Sequence, residues 1–312
     1  MPLLKRDKNN IDRPPAPFVV GMNRSGTTLL RMMLDSHPEL TIPPETHFVP
    51  DVIRACRRKA GRPEEVLAAM KSRREWGDFG FGDDEMLALL RERGRRLDPG
   101  DALRAFYEAY AAREGKPRWG EKTPRYVGKM RQIQGALPEA RFVHVVRDGR
   151  DVALSVLDRT VRDLSAADVG KRWKRKIRKA RDAAPKLDHY VEVRYEDLIL
   201  DTEPTLRRIC EFIELRWDDT VLDYHERSPE RLEEMKRALP ADQRSSELDV
   251  ERRMATHAMT TRPPDADRVS RWKRDMSDLD RASFEEVAGG MLRDLGYESG
   301  GSAGGVDIEP GR

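Results

Sequence analysis

The 312-residue sequence has only two cysteines, Cys56 and Cys210, which lie far apart and match no metal-binding or disulfide spacing. It also lacks any stretch near the ~20 apolar residues that cross a membrane, and its N-terminus has no apolar core of signal-peptide type. These absences argue against a metal centre, a disulfide framework and a membrane span. We expect a soluble protein in the cytoplasm.

A strong excess of charge of one sign is missing too. The formal net charge is +3, although charged residues make up 37% of the chain, against about 25% in an average globular protein. The basic run over 170–181 would suit nucleic acid, but Trp173, Ile177 and Ala180 recur at helical spacing. That spacing favours a helix with one buried stripe and a solvated basic face, so we expect no nucleic-acid partner.

The order of the apolar patterns indicates the fold class. Strand-like runs at 17–22, 140–146 and 190–194 alternate with helical patterns. The clearest helical patterns cover 26–36, 101–113, 149–158, 167–182, 203–214 and 278–294. This alternation predicts an α/β fold in which a central parallel β-sheet is flanked by helices on both faces.

Two segments interrupt the alternation. The segment 60–115 is helical in pattern and is predicted to be an insertion that caps one side of the site. The segment 228–268 is highly charged, contains Pro240, Pro263 and Pro264 and lacks clean periodicity. It is either a substrate lid or a solvated connection without function, because long loops in compact domains are either functional or disordered.

The lysine of a nucleoside-triphosphate loop is also missing. An apolar strand runs into the frame Gly21-x-x-x-x-Gly26-x-Thr28, and Thr27 stands where that lysine would reach the β- and γ-phosphates. A loop of this shape can still surround one phosphate with backbone N–H groups and short side chains at a helix N-terminus. The side chains available for this are those of Arg24, Ser25, Thr27 and Thr28.

A second anion site is predicted at the end of the strand over 140–146, where Arg147 follows the apolar run. Ligands of parallel sheets gather beyond the carboxyl ends of the strands, so Arg147 should lie near the phosphate loop. Asp148 and Gly149 make the turn into a helix that carries Ser155 about two turns further on. One arginine and one serine suit a second phosphate.

With these two motifs in this order, the chain resembles the sulfotransferases that use 3′-phosphoadenosine-5′-phosphosulfate (PAPS), and among them the protein-tyrosine sulfotransferase branch. Further matching segments are 37–40, 45–46, 121–124, 172–175, 194–198, 269–272 and 295–297. The resemblance implies a P-loop-like α/β fold with helical insertions and a single sulfotransferase domain over 17–298. Residues 1–16 would form a disordered N-terminal segment and residues 299–312 a flexible Gly/Ser-rich tail.

The resemblance also implies which residues hold the nucleotide. The residues for the 5′-phosphosulfate are Arg24, Ser25, Gly26, Thr27 and Thr28, and those for the 3′-phosphate are Arg147, Ser155 and Arg159. Tyr195 matches a nucleotide-contacting tyrosine, although a tyrosine that packs in the core at a helix start explains it nearly as well. Ser270 matches a serine that assists at the leaving phosphate.

Sulfuryl transfer requires a cation at the leaving oxygen and a base at the acceptor. Lys122 in Gly120-Glu-Lys-Thr occupies the position of the catalytic lysine and is predicted to lie in a turn, with Arg24 sharing its role. The alternative for Lys122 is a surface lysine paired with Glu121. No metal is required, since fixed lysine and arginine charges can do what magnesium does for triphosphates.

The predicted base is Glu45, which follows two prolines and matches the catalytic glutamate of the tyrosyl-protein enzymes; partial burial would raise its pKa. Its alternative is a helix-capping or salt-bridged acid. His47 is intrinsically the better base near neutral pH, but its position matches a substrate-contacting arginine, so we place it in the acceptor pocket. A metal pair of Glu45 and His47 is disfavoured because it lacks a third ligand.

The sequence therefore predicts a PAPS-dependent sulfotransferase of the EC 2.8.2 type that forms adenosine 3′,5′-bisphosphate as its product. The expected acceptor is a hydroxyl, or less readily an amine, of a small molecule, glycan or natural product. An acidic tyrosyl peptide is disfavoured, because His47 and Asp51 replace arginines of the peptide groove. A homodimer is possible. The alternatives are a phosphate-loop nucleotide kinase and a nonenzymatic anion- or glycan-binding protein.

Overall fold

The computed structural model describes residues 13–58, 61–158, 164–233 and 258–297. Its strands are β1 (Ala16–Gly21), β2 (Leu40–Thr41), β3 (Arg118–Trp119), β4 (Glu121–Lys122), β5 (Ala140–Val146) and β6 (Tyr190–Arg194). The α-helices before β5 are α1 (Thr27–Asp35), α2 (Val49–Arg58), α3 (Pro63–Lys71), α4 (Asp83–Arg93), α5 (Pro99–Arg113) and α6 (Met130–Gln134). Those after it are α7 (Gly149–Leu157), α8 (Ala166–Ala183), α9 (Tyr195–Leu200), α10 (Thr202–Phe212), α11 (Tyr224–Glu233), α12 (Trp272–Asp275) and α13 (Asp278–Asp294).

Four strands form a parallel sheet in the order β4-β1-β5-β6, and β2 pairs with β3 in a separate two-stranded sheet. Every residue of β1 is buried, as a central parallel strand with both faces covered requires. In the register, Val19 of β1 lies opposite Val143 on one side and opposite Lys122 on the other. The carboxyl ends of β1 and β5 consequently meet at one edge of the sheet.

Helices cover both faces of this sheet. Phe18 and Val20 of β1 pack in a core formed with α2 and α5, while Val19 between them packs in a core formed with α1 and α10. The alternation follows from the strand period of two residues. The predicted α/β fold with a central parallel sheet between helical layers is confirmed, and the predicted strands agree with β1, β5 and β6 to within one residue at each end.

The segment 60–115 contains α3, α4 and α5 and a 3-10 helix at Arg74–Phe79, so its predicted helical character is confirmed. Aromatic rings join it to the loop that follows β2. The ring of Phe106 lies 4.9 Å from that of Phe48 and 5.0 Å from that of Phe79, both edge to face. Edge-to-face contact adds to the burial of such rings, so this layer holds the chain next to His47 in place.

The charged segment over 228–268 is described only at its two ends. Between α11 and 3-10 helices at Ala258–Thr261 and Ala266–Arg268, residues 234–257 lie outside the described residues. The hydroxyl of Tyr224 donates a hydrogen bond to the carbonyl oxygen of Arg262 at 2.6 Å, which ties the two ends together. The lid interpretation stays a prediction, as do the assignments for the N-terminal segment and the tail, which fall largely outside the described ranges.

The basic run forms most of α8, which opens with a capping box between Ser165 and Asp168. Trp173, Ile177 and Ala180 are buried, and the arginines and lysines between them are exposed or half-buried. The predicted buried stripe is confirmed. In the described ranges, no helix combines the length and apolar character needed to cross a bilayer.

Candidate active site

The loop between β1 and α1 lies at the carboxyl edge of the sheet. Its backbone is left-handed at Arg24 (φ 75°) and at Gly26 (φ 94°). Gly26 is the N-cap residue of α1 and supplies no side-chain cap. A Cβ atom at Gly26 would lie 2.3 Å from the ring of Tyr195, so the loop can approach that ring only as glycine. The N–H groups and positive dipole end of α1 thus face the space beside this loop.

Arg147 lies next to this loop, as predicted from its place after β5. One of its terminal nitrogens, Nη1, donates to the carbonyl oxygen of Arg24 at 3.3 Å, and Nη2 donates to that of Arg268 at 2.7 Å. Its guanidinium lies 4.2 Å from the ring centroid of Tyr195, a cation–π distance. Within the described residues, the buried Nε of Arg147 has no hydrogen-bond partner.

Ser155 links the two predicted phosphate sites. The Nε of Arg24 in the loop donates to the hydroxyl oxygen of Ser155 in α7 at 3.0 Å. A cavity of about 370 Å³ opens between the loop, α7 and the segment before α12. It is lined among others by Arg24, Gly26, Thr27, Thr28, Arg147, Ser155 and Tyr195, and also by Arg268 and Arg271. The structure therefore brings most of the predicted nucleotide residues to one cavity.

Two of the residues predicted to act at the nucleotide do not line that cavity. Ser25 is buried within the loop. Ser270, with φ 56°, lies between two residues that do line it, Arg268 and Arg271, but is itself not part of the lining. Arg159 lies outside the described residues. The two flanking arginines were missed by the sequence analysis, although Arg271 belongs to the segment 269–272 that it singled out.

Lys122 lies in strand β4, and the predicted turn at this position is wrong. Because β4 pairs with β1, the Lys122 side chain runs toward the phosphate loop. Its Nζ lies 2.6 Å from Oε1 of Glu45 and donates to the hydroxyl of Thr28 at 3.4 Å. The Lys122 side chain is 2% exposed, which excludes the alternative of a solvated surface lysine. An ammonium group thus reaches the loop from a neighbouring strand, although Thr27 stands at the usual lysine position.

Glu45 lies between the side chains of Lys122 and His47. Its Oε1 accepts from Lys122, and its Oε2 lies 3.2 Å from Nε2 of His47. His47 has φ 53°, an unusual backbone conformation for a residue with a side chain. Within the described ranges its buried Nδ1 has no partner, and its Nε2 lies 4.0 Å from Glu75. Glu45 therefore lies beside the predicted leaving-group cation, and His47 lies beside Glu45.

The predicted upward pKa shift of Glu45 is wrong for this arrangement. Burial raises the pKa of Glu45, but the charge of Lys122 and the hydrogen bonds from His47 and Lys122 outweigh it and hold the pKa below its ordinary value. Burial also lowers the pKa of Lys122, and the Glu45 charge opposes that shift. A contact of 2.6 Å between the ammonium group and the carboxylate stabilises both ions, so the pair is charged at neutral pH.

The model of the sulfotransferase family matches residues 15–219, a range that holds the phosphate loop, Glu45, Lys122 and Arg147. The chain belongs to the sulfotransferase family. The resemblance drawn from the sequence motifs is thereby confirmed.

Among similar proteins, protein-tyrosine sulfotransferase A of Caenorhabditis elegans is 27% identical over 294 residues, 91% of this chain and 67% of that protein. Protein-tyrosine sulfotransferase 1 of Danio rerio is 29% identical over 211 residues, 64% of this sulfotransferase and 52% of the fish protein. The chain thus spans between half and two thirds of these two relatives, and it stands near the tyrosine sulfotransferase branch.

Two solved structures share the fold. The sulfotransferase domain from the curacin biosynthetic pathway aligns with a TM-score of 0.60 at 18% identity, covering 92% of this chain and 99% of that domain. The sulfotransferase domain from the Synechococcus PCC 7002 olefin synthase aligns with a TM-score of 0.57 at 23% identity, covering 92% and 98%. At these identities the alignments support the fold of the chain.

Proposed function

We propose that this protein transfers a sulfuryl group from PAPS to an acceptor hydroxyl, or less readily to an amine. The observation that carries the proposal is the position of Lys122, which contacts a phosphate-loop residue, Thr28, and a carboxylate, Glu45, at once. Phosphate site, leaving-group cation and base are therefore contiguous, as sulfuryl transfer requires.

The residues at the cavity fit a nucleotide that carries two separate anions. Arg24 and the N-terminus of α1 offer one set of anion donors. Arg147, which packs against the ring of Tyr195, offers another, with a buried Nε that lacks a partner among the described residues. Buried donors of this kind normally have an acceptor. Arg24, Thr27 and Thr28 would hold the 5′-phosphosulfate, and Arg147 and Ser155 the 3′-phosphate.

Two residues of the chain would perform the chemistry. When bound, PAPS supplies an activated sulfuryl group and departs as adenosine 3′,5′-bisphosphate. Lys122 would offset the negative charge that develops on the leaving oxygen, a role that Arg24 would share. Glu45 takes the proton that the acceptor hydroxyl loses.

The ion pair links these two roles. Glu45 is bound to Lys122. Burial raises the pKa of Glu45, but the charge of Lys122 and the hydrogen bond from His47 hold it below its ordinary value, so Glu45 is a poor base in this pair. Lys122 lies near enough to Thr28 to turn from the carboxylate to the loop. If Lys122 turned to a phosphosulfate at the loop, the pKa of Glu45 would rise toward the value that burial favours. Glu45 would then be the stronger base.

The acceptor is proposed to approach from the side of His47 and Glu75. Asp51, which replaces an arginine of the peptide groove, is engaged by Arg54 at 2.9 Å and by Arg73. Arg54 and Arg73 therefore place positive charge next to Asp51. The argument against an acidic peptide as the acceptor then rests mainly on His47. A small-molecule, glycan or natural-product hydroxyl remains the proposed acceptor class, and assembly as a homodimer stays a prediction.

The function is tested by incubating the protein with PAPS and four acceptor probes, followed by mass spectrometry. The probes are 4-nitrophenol, 1-octanol, glucosamine and an acidic tyrosyl peptide. We expect at least one hydroxyl probe to gain one sulfuryl group while an equal amount of adenosine 3′,5′-bisphosphate forms. Transfer of the γ-phosphate from Mg-ATP to a probe, with no sulfuryl transfer, would support the kinase alternative instead.

A further inference from the structure

A buried carboxylate, Glu121, lies next to the Glu45–Lys122 pair and has no part in the proposed chemistry. Glu121 is 0% exposed and precedes Lys122 in β4. Neighbouring side chains of a strand point to opposite faces, so Lys122 points to the phosphate loop and Glu121 to α5. Glu121 therefore cannot be the acceptor base or contact the nucleotide at the loop.

Both oxygens of Glu121 accept hydrogen bonds. Its Oε1 accepts from the hydroxyl of Thr123 at 2.5 Å, and its Oε2 accepts from the hydroxyls of Tyr107 at 2.5 Å and Thr46 at 3.1 Å. Thr123 follows Lys122, and Thr46 follows Glu45. One carboxylate is thus bonded to the residue after the leaving-group cation and to the residue after the base.

Further bonds close this network. The backbone N–H of Thr46 donates to the hydroxyl of Thr123 at 3.2 Å. The hydroxyl of Tyr126 lies 3.0 Å from that of Thr46 and accepts from the N–H of Val49 at 3.1 Å. Every one of these groups is buried. Since buried polar groups in a low dielectric are costly unless paired, such a network holds its members in one arrangement.

We propose that Glu121 is a positioning residue that fixes the Glu45 segment to the Lys122 strand and so sets the distance between base and cation. The inference rests on the proposed function. The two segments are 77 residues apart in sequence, and each carries one reacting side chain. A displacement of about 1 Å between reacting groups costs about 10²-fold in rate.

The test compares Glu121→Gln with Glu139→Gln. Glu139 is a second carboxylate, whose side chain is 7% exposed and pairs with Arg104 at 2.6 Å between α5 and the start of β5. With PAPS and the four probes above, we expect Glu121→Gln to lower kcat by about 10²-fold with little change in KM for PAPS. Glu139→Gln should lower the melting temperature, because it breaks a buried pair, and leave kcat of the folded enzyme unchanged.

A double variant separates positioning from general weakening. If Glu121 acts through Glu45, then Glu121→Gln/Glu45→Gln should be hardly slower than Glu45→Gln alone. Multiplied losses, or a wild-type kcat in Glu121→Gln, would overturn the inference while leaving the proposed function intact. A wild-type protein that sulfates none of the probes would overturn both.

Thr123 supplies a milder variant in case Glu121→Gln does not fold. Thr123→Val removes the hydroxyl that joins Glu121 to the N–H of Thr46 and keeps the shape of the side chain. We expect a lower kcat with unchanged affinity for adenosine 3′,5′-bisphosphate, and recovery in Thr123→Ser. A Thr123→Val variant as fast as wild type would count against the positioning role.

Discussion

Lys122 and Glu45 form an ion pair in which Nζ lies 2.6 Å from Oε1, and the same Nζ lies 3.4 Å from the hydroxyl of Thr28. The lysine side chain is 2% exposed and the glutamate side chain 28% exposed. The pair therefore joins a buried ammonium group next to Thr28 to a carboxylate that solvent partly reaches. In the proposed function this position lets one ammonium group serve the leaving oxygen and control the base.

The pair should make stability sensitive to acid. Burial raises the pKa of Glu45, but Lys122 and His47 lower it below 4.5 on balance. A carboxylate with a depressed folded pKa contributes stability that is complete above its unfolded pKa of about 4.3 and is lost as the pH falls through the folded value. Thermal melts of wild type and Glu45→Gln should therefore converge as the pH is lowered below about 4.3. A constant difference between the two melting temperatures would contradict the charged pair.

Ligand choice provides a second prediction. Adenosine 3′,5′-bisphosphate should raise the melting temperature without added metal, because Arg24 and Arg147 both line the cavity and offer two guanidinium groups for its two phosphates. Mg-ATP at the same concentration should raise it much less, since Thr27 replaces the loop lysine. Equal or greater stabilisation by Mg-ATP would favour the nucleotide kinase.

The third prediction separates the two phosphates. Arg147→Ala should weaken the binding of adenosine 3′,5′-bisphosphate by about 1.5–3 kcal/mol, the value of a hydrogen bond to a charged group. Binding of adenosine 5′-monophosphate should change far less, because this nucleotide lacks the 3′-phosphate that Arg147 would bind. Calorimetry with both nucleotides checks this, with Arg178→Ala on the exposed face of α8 as the matched control. Equal losses for both nucleotides would show that Arg147 is misassigned.

Glu45 and His47 are both placed to act as the base, so their variants must be compared. Glu45→Gln keeps the shape of the side chain and removes the basic oxygen, so kcat should fall by about 10²–10⁴ with nucleotide affinity nearly constant. His47→Asn should mainly raise KM for the acceptor. Loss of turnover in His47→Asn with near-normal kcat in Glu45→Gln would exchange the two roles.

Much of this arrangement follows from local sequence. The continuous apolar runs of β1 and β5 predict buried parallel strands, and parallel strands in one sheet bring Arg147 to the phosphate loop. The glycine frame predicts the turn at Gly26, where a Cβ atom would strike Tyr195. Residue patterns and the handedness of the backbone are enough to predict these features.

The contacts that the sequence does not predict depend on pairing between segments that are far apart in the chain. Nothing near Lys122 marks a strand of two residues, because β4 exists only through its pairing with β1. The direction of the Glu45 pKa shift likewise depends on which cation lies nearby and not on burial alone. The hydrogen bonds that Glu121 accepts from Thr46 and Thr123 require two distant segments to meet. In the sequence alone, a glutamate followed by a lysine indicates a surface ion pair.

The most direct measurement of the central claim is sulfuryl transfer from PAPS by wild type and by Lys122→Met, followed by mass spectrometry with the four acceptor probes. Wild type should yield a sulfated hydroxyl probe and an equal amount of adenosine 3′,5′-bisphosphate. Lys122→Met keeps an unbranched side chain but removes the ammonium, and it should be about 10²–10³-fold slower in kcat, the loss typical for one group that stabilises developing charge. A Lys122→Met variant that transfers sulfuryl groups at the wild-type rate would contradict the account.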